Sequence, residues 1–122
     1  KHPRLGTIVI FDPPQILIDS GYESNQALIK RVIGLPGDKL EVKDGLLIRN
    51  DSVVNEPWVI EKINYEMKPI IVPSKSLWVL GDNRNNSLDS HLWGPLEEEN
   101  LIGTASFRYW PLKKLGSIRF PA

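Results

Sequence analysis

The sequence predicts a mainly β protein, and three observations lead to that fold class. Short apolar runs rich in Val, Ile and Leu recur along the whole chain. Turn-forming residues (Gly, Pro, Asn and Asp) separate these runs at intervals of roughly 8–12 residues, a spacing typical of compact β folds. No long segment carries the periodicity of an amphipathic helix. We therefore expect a single domain over residues 1–122 that is built from short antiparallel strands.

The first third of the chain contains two predicted strands. Residues 8–11 form an apolar run that ends at Asp12-Pro13-Pro14, because proline cannot continue a paired strand. Residues 15–26 are polar and mixed, which predicts an exposed loop with room for a short helical turn. Residues 28–33 predict the second strand, which the turn at residues 34–38 ends.

The strongest local signal is a β-hairpin in the middle of the chain. Residues 40–43 and 46–49 are strand-like runs joined by Asp44-Gly45. Asp-Gly readily adopts the positive φ angles that a two-residue hairpin turn requires. Asn50-Asp51 predicts a second turn, which leads into residues 52–54.

The remaining predicted strands lie in the second half. Residues 70–72 and 77–80 are strands on either side of the turn at residues 73–76, and residues 102–109 are the last long strand. Residues 97–100 suggest a helical turn. No repeat or low-complexity segment interrupts this pattern.

Composition excludes several classes of function. Fifteen basic residues balance fifteen acidic ones, and no basic cluster forms beyond Lys113-Lys114, so a nucleic-acid partner is not expected. The chain has no cysteine and only two histidines, His2 and His91, so we expect neither a metal nor a cofactor. No apolar run approaches the roughly 18–20 residues that cross a bilayer as a helix.

Two polar features stand out against this background. Residues 81–91 follow the apolar run 77–80 and are dense in Asp, Asn and Ser, with one Arg and one His. Such a segment is either an Asx-rich turn or a polar site. The second feature is Lys30, which shares a strand face with Leu28 and Val32. Apolar neighbours desolvate an amine and lower its pKa, as a general base requires, unless the side chain reaches solvent at a sheet edge.

Both features resemble type I signal peptidases, membrane-anchored proteases that use a Ser/Lys dyad. Residues 30–38 read Lys-Arg-Val-Ile-Gly-Leu-Pro-Gly-Asp, and residues 81–90 read Gly-Asp-Asn-Arg-Asn-Asn-Ser-Leu-Asp-Ser; both match family motifs. A third motif at residues 4–11 is degraded, because a Leu precedes the Gly and Thr7 replaces the usual Asp. Matches at residues 65–69, 93–96 and 107–111 resemble the cyanobacterial and thylakoid branch.

The resemblance implies a fold and a set of site residues. The fold would be several coiled antiparallel sheets, with a small β cap inserted within about residues 39–76. Lys30 would be the general base, and the Ser87 hydroxyl would orient its amine. Arg31 and Asp82 would form an ion pair beside them.

The remaining roles concern support of the site and the substrate. Asp89 would pair with His91, where the family usually has an Arg, so this tie becomes titratable near neutral pH. Leu28 and Ile29 would line the site of an extended peptide that binds as an added strand.

One motif of the family is missing from the sequence. Its nucleophile lies in a Ser-Met-x-Pro segment before the Lys, and no such tetrapeptide occurs here. We therefore expect a catalytic domain that lacks its N-terminal membrane anchor and Ser-bearing segment, and that is inactive by itself.

The full protein would be a serine endopeptidase that removes signal peptides after an Ala-x-Ala-like site. It would be membrane-anchored, with its catalytic domain on the periplasmic or thylakoid-lumen face. The non-enzyme alternative is a paralogue of the same fold that has lost its nucleophile and only binds peptides or proteins. A self-cleaving Ser/Lys repressor is a further alternative, but that group lacks the pattern of residues 81–90.

Overall fold

Two antiparallel sheets account for most of the computed structural model, which describes residues 3–59 and 61–105. The strands are β1 (Ile8–Phe11), β2 (Leu28–Gly34), β3 (Lys39–Lys43), β4 (Leu46–Arg49), β5 (Ser52–Val53), β6 (Met67–Ile71), β7 (Ser76–Leu80), β8 (Leu96–Glu97) and β9 (Leu101–Ala105). The helices are α1 (Gln15–Asp19), α2 (Ser90–Trp93) and a 3-10 turn at Glu98–Asn100. The mainly β prediction is confirmed.

The first sheet has the order β8-β7-β2-β1-β9, and the second has the order β5-β4-β3-β6. Strand β2 therefore lies at the centre of the first sheet, with β1 and β7 on its two sides. The second sheet lies within residues 39–71, inside the interval expected for the cap. Its connection to the first sheet runs directly from β2 into β3.

Alternation along β2 divides its side chains between two cores. Leu28 and Val32 belong to the first hydrophobic cluster, whereas Ile33 belongs to the second. The first cluster also contains Val9, Phe11, Leu77, Val79, Trp93 and Leu96. The second contains Leu40, Val42, Leu47, Ile63, Val72, Trp78 and Leu80. Strand β2 is thus buried on both faces, and a polar side chain on it is removed from water.

Turn chemistry sets the hairpins of the second sheet as predicted. Asp44 and Gly45 have φ angles of 54° and 80°, and Asn50 and Asp51 have φ angles of 51° and 71°. Both pairs therefore adopt the left-handed conformation that twists a two-residue turn in the same sense as its strands. The first turn joins β3 to β4, and the second joins β4 to β5.

Asp38 fixes the junction between the two sheets. Its carboxylate accepts hydrogen bonds from the Leu35 N–H and from the side chains of Arg49 and Asn50. Burial acts to raise the pKa of this carboxyl, but the bonds from Arg49, Leu35 and Asn50 outweigh it and leave the pKa below its usual value. The carboxylate stays ionised and ties the end of β4 to the turn that follows β2.

Several element boundaries differ from the predictions. Strand β6 begins at Met67 instead of residue 70; it includes Pro69, which is tolerated because β6 is an edge strand. Helix α2 and strand β8 were not predicted. The helix begins where the Asp89 side chain accepts a bond from the His91 N–H. Strand β9 starts at Leu101, and residues 106–109 of the predicted last strand lie outside the described residues.

Candidate active site

Lys30 and Ser87 meet in the interior of the protein. Lys30 is 5% exposed and Ser87 is 7% exposed. The Lys30 Nζ donates a hydrogen bond of 3.0 Å to the Ser87 Oγ. Burial lowers the pKa of the Lys30 amine, against the opposing attraction of Asp89 and Asp82. The amine is therefore biased toward its neutral form, in which its lone pair can accept a proton.

Gly81, which directly follows β7, makes this contact possible. A Cβ built on Gly81 would collide with the Ser87 Oγ, and it would lie 2.8 Å from the Ser87 Cβ and 3.5 Å from the Lys30 Nζ. Only glycine leaves room for both side chains at this point. In the sequence, Gly81 was visible only as part of the motif at residues 81–90. Its position at the end of a buried strand was the feature that could have indicated a close contact there.

Asp89 and Ser90 hold residues 81–91, the polar segment, against the end of β7. Asp89 is fully buried, and its Oδ2 accepts a 2.9 Å bond from the Gly81 N–H. Its Oδ1 accepts from the His91 N–H at 3.1 Å and contacts the His91 imidazole Nδ1. The Ser90 Oγ accepts from the Val79 N–H at 2.9 Å. Side chains thus satisfy backbone groups that a sheet partner would otherwise bind.

Arg31 and Asp82 form a bidentate ion pair on the opposite strand face from Lys30. The two bonds measure 2.9 and 2.8 Å, and each side chain is close to nine-tenths buried. Arg31 also donates to the Gly6 carbonyl at 2.8 Å and lies 4.4 Å from the ring centroid of Trp58. The pair joins the centre of β2 to the start of the polar segment.

A second buried ion pair was not predicted. Arg84 is fully buried; its Nε donates to the Gly81 carbonyl at 2.8 Å. Its two terminal nitrogens bind the Glu56 carboxylate at 2.8 and 2.9 Å. The Arg within a polar segment was visible in the sequence, but nothing in one sequence links it to Glu56, which lies in the connection between β5 and β6.

His91 stacks on Tyr65, a contact that the sequence also did not reveal. Their ring centroids are 4.0 Å apart and their planes are nearly parallel, at 5°. Burial is the main cause that raises the pKa of the Tyr65 phenol well above its usual value. Tyr65 therefore stays neutral and supports the imidazole that faces Asp89.

Leu28 and Ile29 are both buried at the start of β2. Leu28 packs in the first cluster with no exposed surface, and Ile29 is 8% exposed. On one side of β2, strand β1 places Phe11 opposite Leu28 and Ile10 opposite Ile29. On the other side, the register of β7 begins with Leu80 opposite Arg31 and runs toward Gly34. Leu28 and Ile29 thus precede the part of β2 that β7 covers.

Neither a metal-binding group nor a membrane-spanning helix is found in the described part of the chain. Within residues 3–59 and 61–105, no group of three or more metal-binding side chains is arranged to hold an ion. No helix in the same residues is long and apolar enough to cross a membrane.

Comparison with known proteins connects this geometry to one family. The sequence model of the family described as "Signal peptidase, peptidase S26" matches residues 1–110. The chain is 49% identical over 118 residues to the probable thylakoidal processing peptidase 2 of Arabidopsis thaliana; the match covers 97% of this chain and 32% of that protein. It is 43% identical over 116 residues to the probable signal peptidase I-1 of Synechocystis sp., with coverages of 95% and 59%.

A solved structure gives the same result for the fold. The crystal structure of a signal peptidase I from Enterococcus faecalis V583 superposes with a TM-score of 0.72 at 26% identity, and covers 87% of this chain and 98% of that one. The chain spans 32% and 59% of the two curated relatives above. The resemblance seen in the sequence is confirmed, and the chain belongs to the signal peptidase family, peptidase S26.

Proposed function

We propose that the full protein is a serine endopeptidase that removes signal peptides, with Lys30 as general base and Ser87 as the residue that orients its amine. The observation that carries this proposal is the buried 3.0 Å contact between the Lys30 Nζ and the Ser87 Oγ. A lysine in water is only about 0.04% neutral at pH 7, so it is a poor base there. Burial lowers the pKa of the Lys30 amine, which is the direction that such a role needs.

The proposed chemistry proceeds in two balanced steps. The neutral Lys30 amine takes the hydroxyl proton of a Ser in a Ser-Met-x-Pro segment that precedes this chain in the full protein, and the oxygen attacks the scissile carbonyl. Lys30 then returns the proton to the departing amine, which leaves an acyl-enzyme. Lys30 then takes a proton from a water as the water oxygen attacks the ester carbonyl, and it returns that proton to the departing Ser oxygen, which releases the product acid and regenerates both residues.

The preprotein would bind as an extended strand beside Leu28 and Ile29. Strand β7 pairs with β2 only from Arg31 onward, which is consistent with a peptide that uses the earlier part of β2. The backbone of Leu28 and Ile29 would pair with the peptide. Their buried apolar side chains would form walls of the pockets that admit Ala at the cleavage site. The thylakoidal and cyanobacterial names of the relatives support action at the thylakoid-lumen or periplasmic face of a membrane, to which an N-terminal anchor would hold the protein.

The test is preprotein cleavage by the full-length protein and its Lys30→Arg variant. Arginine keeps its charge at any useful pH, so the variant should lose activity by at least about a hundredfold. Lys39→Arg, on β3, the next strand along the chain, is the matched control and should retain activity. If Lys30→Arg kept a tenth of the parental rate, Lys30 would not be the base.

A second arm separates the protease from a binding paralogue. The 122-residue chain should bind a signal peptide weakly and cleave none, because no Ser-Met-x-Pro segment is present in it. Cleavage by this chain alone would mean that Ser20, Ser24 or Ser87 is the nucleophile. A full-length protein that binds peptides without cleaving them would support the non-catalytic alternative.

A further inference from the structure

Two charged side chains in the described residues, Arg84 and Asp89, have no exposed surface, and both lie outside the proposed catalytic pair. Arg84 has no exposed surface, and the side chain of Glu56 is 8% exposed. The guanidinium fork makes two bonds to the carboxylate, at 2.8 and 2.9 Å. Two charges that leave water in this way need a reason beyond stability, because a buried ion pair is often no more stabilising than an apolar pair of similar volume.

The third bond of Arg84 connects the pair to the site. Its Nε donates to the Gly81 carbonyl at 2.8 Å, while the Gly81 N–H donates to Asp89 at 2.9 Å. Gly81 is therefore held at both of its backbone polar groups. A Cβ on Gly81 would overlap Ser87 and lie 3.5 Å from the Lys30 Nζ, so the Gly81 backbone borders the Lys30 pocket and a shift of this residue would move that wall.

We propose that Glu56 and Arg84 are positioning residues for the Lys30–Ser87 pair. Glu56 fixes the guanidinium plane, Arg84 fixes the Gly81 carbonyl, and Gly81 keeps Ser87 in contact with Lys30 and water out of the pocket. The connection between β5 and β6 thereby controls a site to which it contributes no reacting group. This inference rests on the proposed function, because it assigns a purpose to the burial of Lys30.

The connection between β5 and β6 makes further contacts with the polar segment. The Asn85 side chain accepts a 2.7 Å bond from the Asn64 N–H and donates a 2.9 Å bond to the Lys62 carbonyl. Tyr65 stacks on His91 at the far end of the polar segment. Residues 56–65 therefore contact the polar segment at three points, of which the Arg84 ion pair is the buried one.

The experiment measures the titration of the Lys30 amine by NMR in the 122-residue chain with labelled lysine, the signal being assigned by its loss in Lys30→Met. Three variants are compared with the parent: Glu56→Met, Arg84→Met and the double variant Glu56→Met/Arg84→Met. Each single variant leaves one buried charge unpaired, so its Tm should fall. The double variant has no unpaired charge and should recover most of that loss.

In the double variant the Tm should recover, but the titration midpoint of Lys30 should not return to its parental value. In the double variant the Gly81 carbonyl still lacks its donor, so water reaches the amine. The titration midpoint of Lys30 should therefore move at least halfway from its parental value back to the value of free lysine. Arg84→Lys, which keeps the charge but loses the planar fork, should give the same result and serves if the double variant does not fold. Asp51→Asn, which removes an exposed ion pair of the second sheet, is the control and should leave the midpoint unchanged.

The outcomes separate two failures. A parental midpoint at the free-lysine value would overturn the proposed function itself. A parental midpoint that is depressed, but unchanged in the folded double variant and in Arg84→Lys, would overturn only the positioning role of Glu56 and Arg84.

Discussion

Lys30 and Lys39 lie on successive strands, β2 and β3, yet their surroundings shift the pKa of the two amines in opposite directions. Lys30 is 5% exposed, and burial lowers its pKa. The side chain of Lys39 is 40% exposed, and its Nζ lies 2.9 Å from the Asp51 Oδ1. The hydrogen bond that Lys39 donates to Asp51 raises the pKa of Lys39. The same side chain becomes a candidate base in one sheet and an ordinary surface cation in the other.

The difference comes from how each strand is covered. Strand β2 is the centre of the first sheet and has a hydrophobic cluster on each face. The second sheet leaves large apolar side chains exposed, among them Leu46, Val53 and Ile71. Lys30 lies on β2 between the two clusters, and the fold places the Ser87 hydroxyl 3.0 Å from its amine. Position in the sheet, and not residue type, therefore determines the chemistry.

Gly81→Ala should break the Lys30 environment most severely. The added methyl group would collide with Ser87, so the backbone or Ser87 must move. We expect a loss of about 3 kcal/mol in the free energy of unfolding, together with a loss of cleavage by the full-length protein. Urea denaturation measures the first effect. Gly103→Ala on β9 is the control, because a Cβ there meets nothing within 4 Å; equal losses in the two variants would show that the Gly81 contact is unimportant.

A comparison of two ion pairs sharpens the contrast between the sheets. Arg31→Ala and Asp82→Ala should each destabilise the protein, and a double-mutant cycle should give a coupling of about 1–3 kcal/mol, because the pair is bidentate and largely buried. The same cycle on Lys39 and Asp51 should show no resolvable coupling. A coupling for Arg31 and Asp82 that is indistinguishable from zero would remove this pair as a tie between β2 and the polar segment.

The pH dependence of stability should have opposite signs for the two lysines. Burial lowers the folded pKa of Lys30 below its unfolded value, so the penalty for charging it is fully present below the folded pKa and vanishes above the unfolded pKa. Lys30→Met should therefore stabilise the protein at about pH 7 and lose that gain at about pH 11. The raised pKa of Lys39 contributes stability that is present below the unfolded value and is lost as the pH rises through the folded value.

Lys39→Met should accordingly cost a little stability at neutral pH and nothing at high pH. Urea midpoints of both variants and the parent at the two pH values make the comparison. A gain from Lys30→Met that was the same at both pH values would indicate a packing effect, and would contradict the assignment of a buried, titratable amine.

Local signals in the sequence predicted most of the fold. Asp44-Gly45 specified its hairpin because two residues and their φ angles suffice for that turn. Alternation along residues 28–33 predicted that Leu28 and Val32 share one strand face, and the structure packs both in the first cluster and Ile33 in the second. The same alternation placed Lys30 among apolar neighbours. These features depend on neighbours in sequence, which a single chain displays.

Features that depend on distant segments could not be predicted in this way. Glu56 meets Arg84, and Tyr65 stacks on His91, only because the connection between β5 and β6 folds over the polar segment. Strand β8 has two residues, and it exists because β7 offers an edge to pair with. Helix α2 has four residues, and its start depends on the Asp89 side chain.

A parallel NMR titration of Lys30 and Lys39 in the unmodified chain would show directly whether burial on β2 changes the amine. We expect the Lys30 amine to titrate below the value of a free lysine, about 10.4, and the Lys39 amine to titrate above it. Hydrogen–deuterium exchange on the same sample would show that β2 is folded during the titration. A Lys30 midpoint at or above that of Lys39 in the folded chain would contradict the claim that burial on β2 prepares this lysine to act as a base.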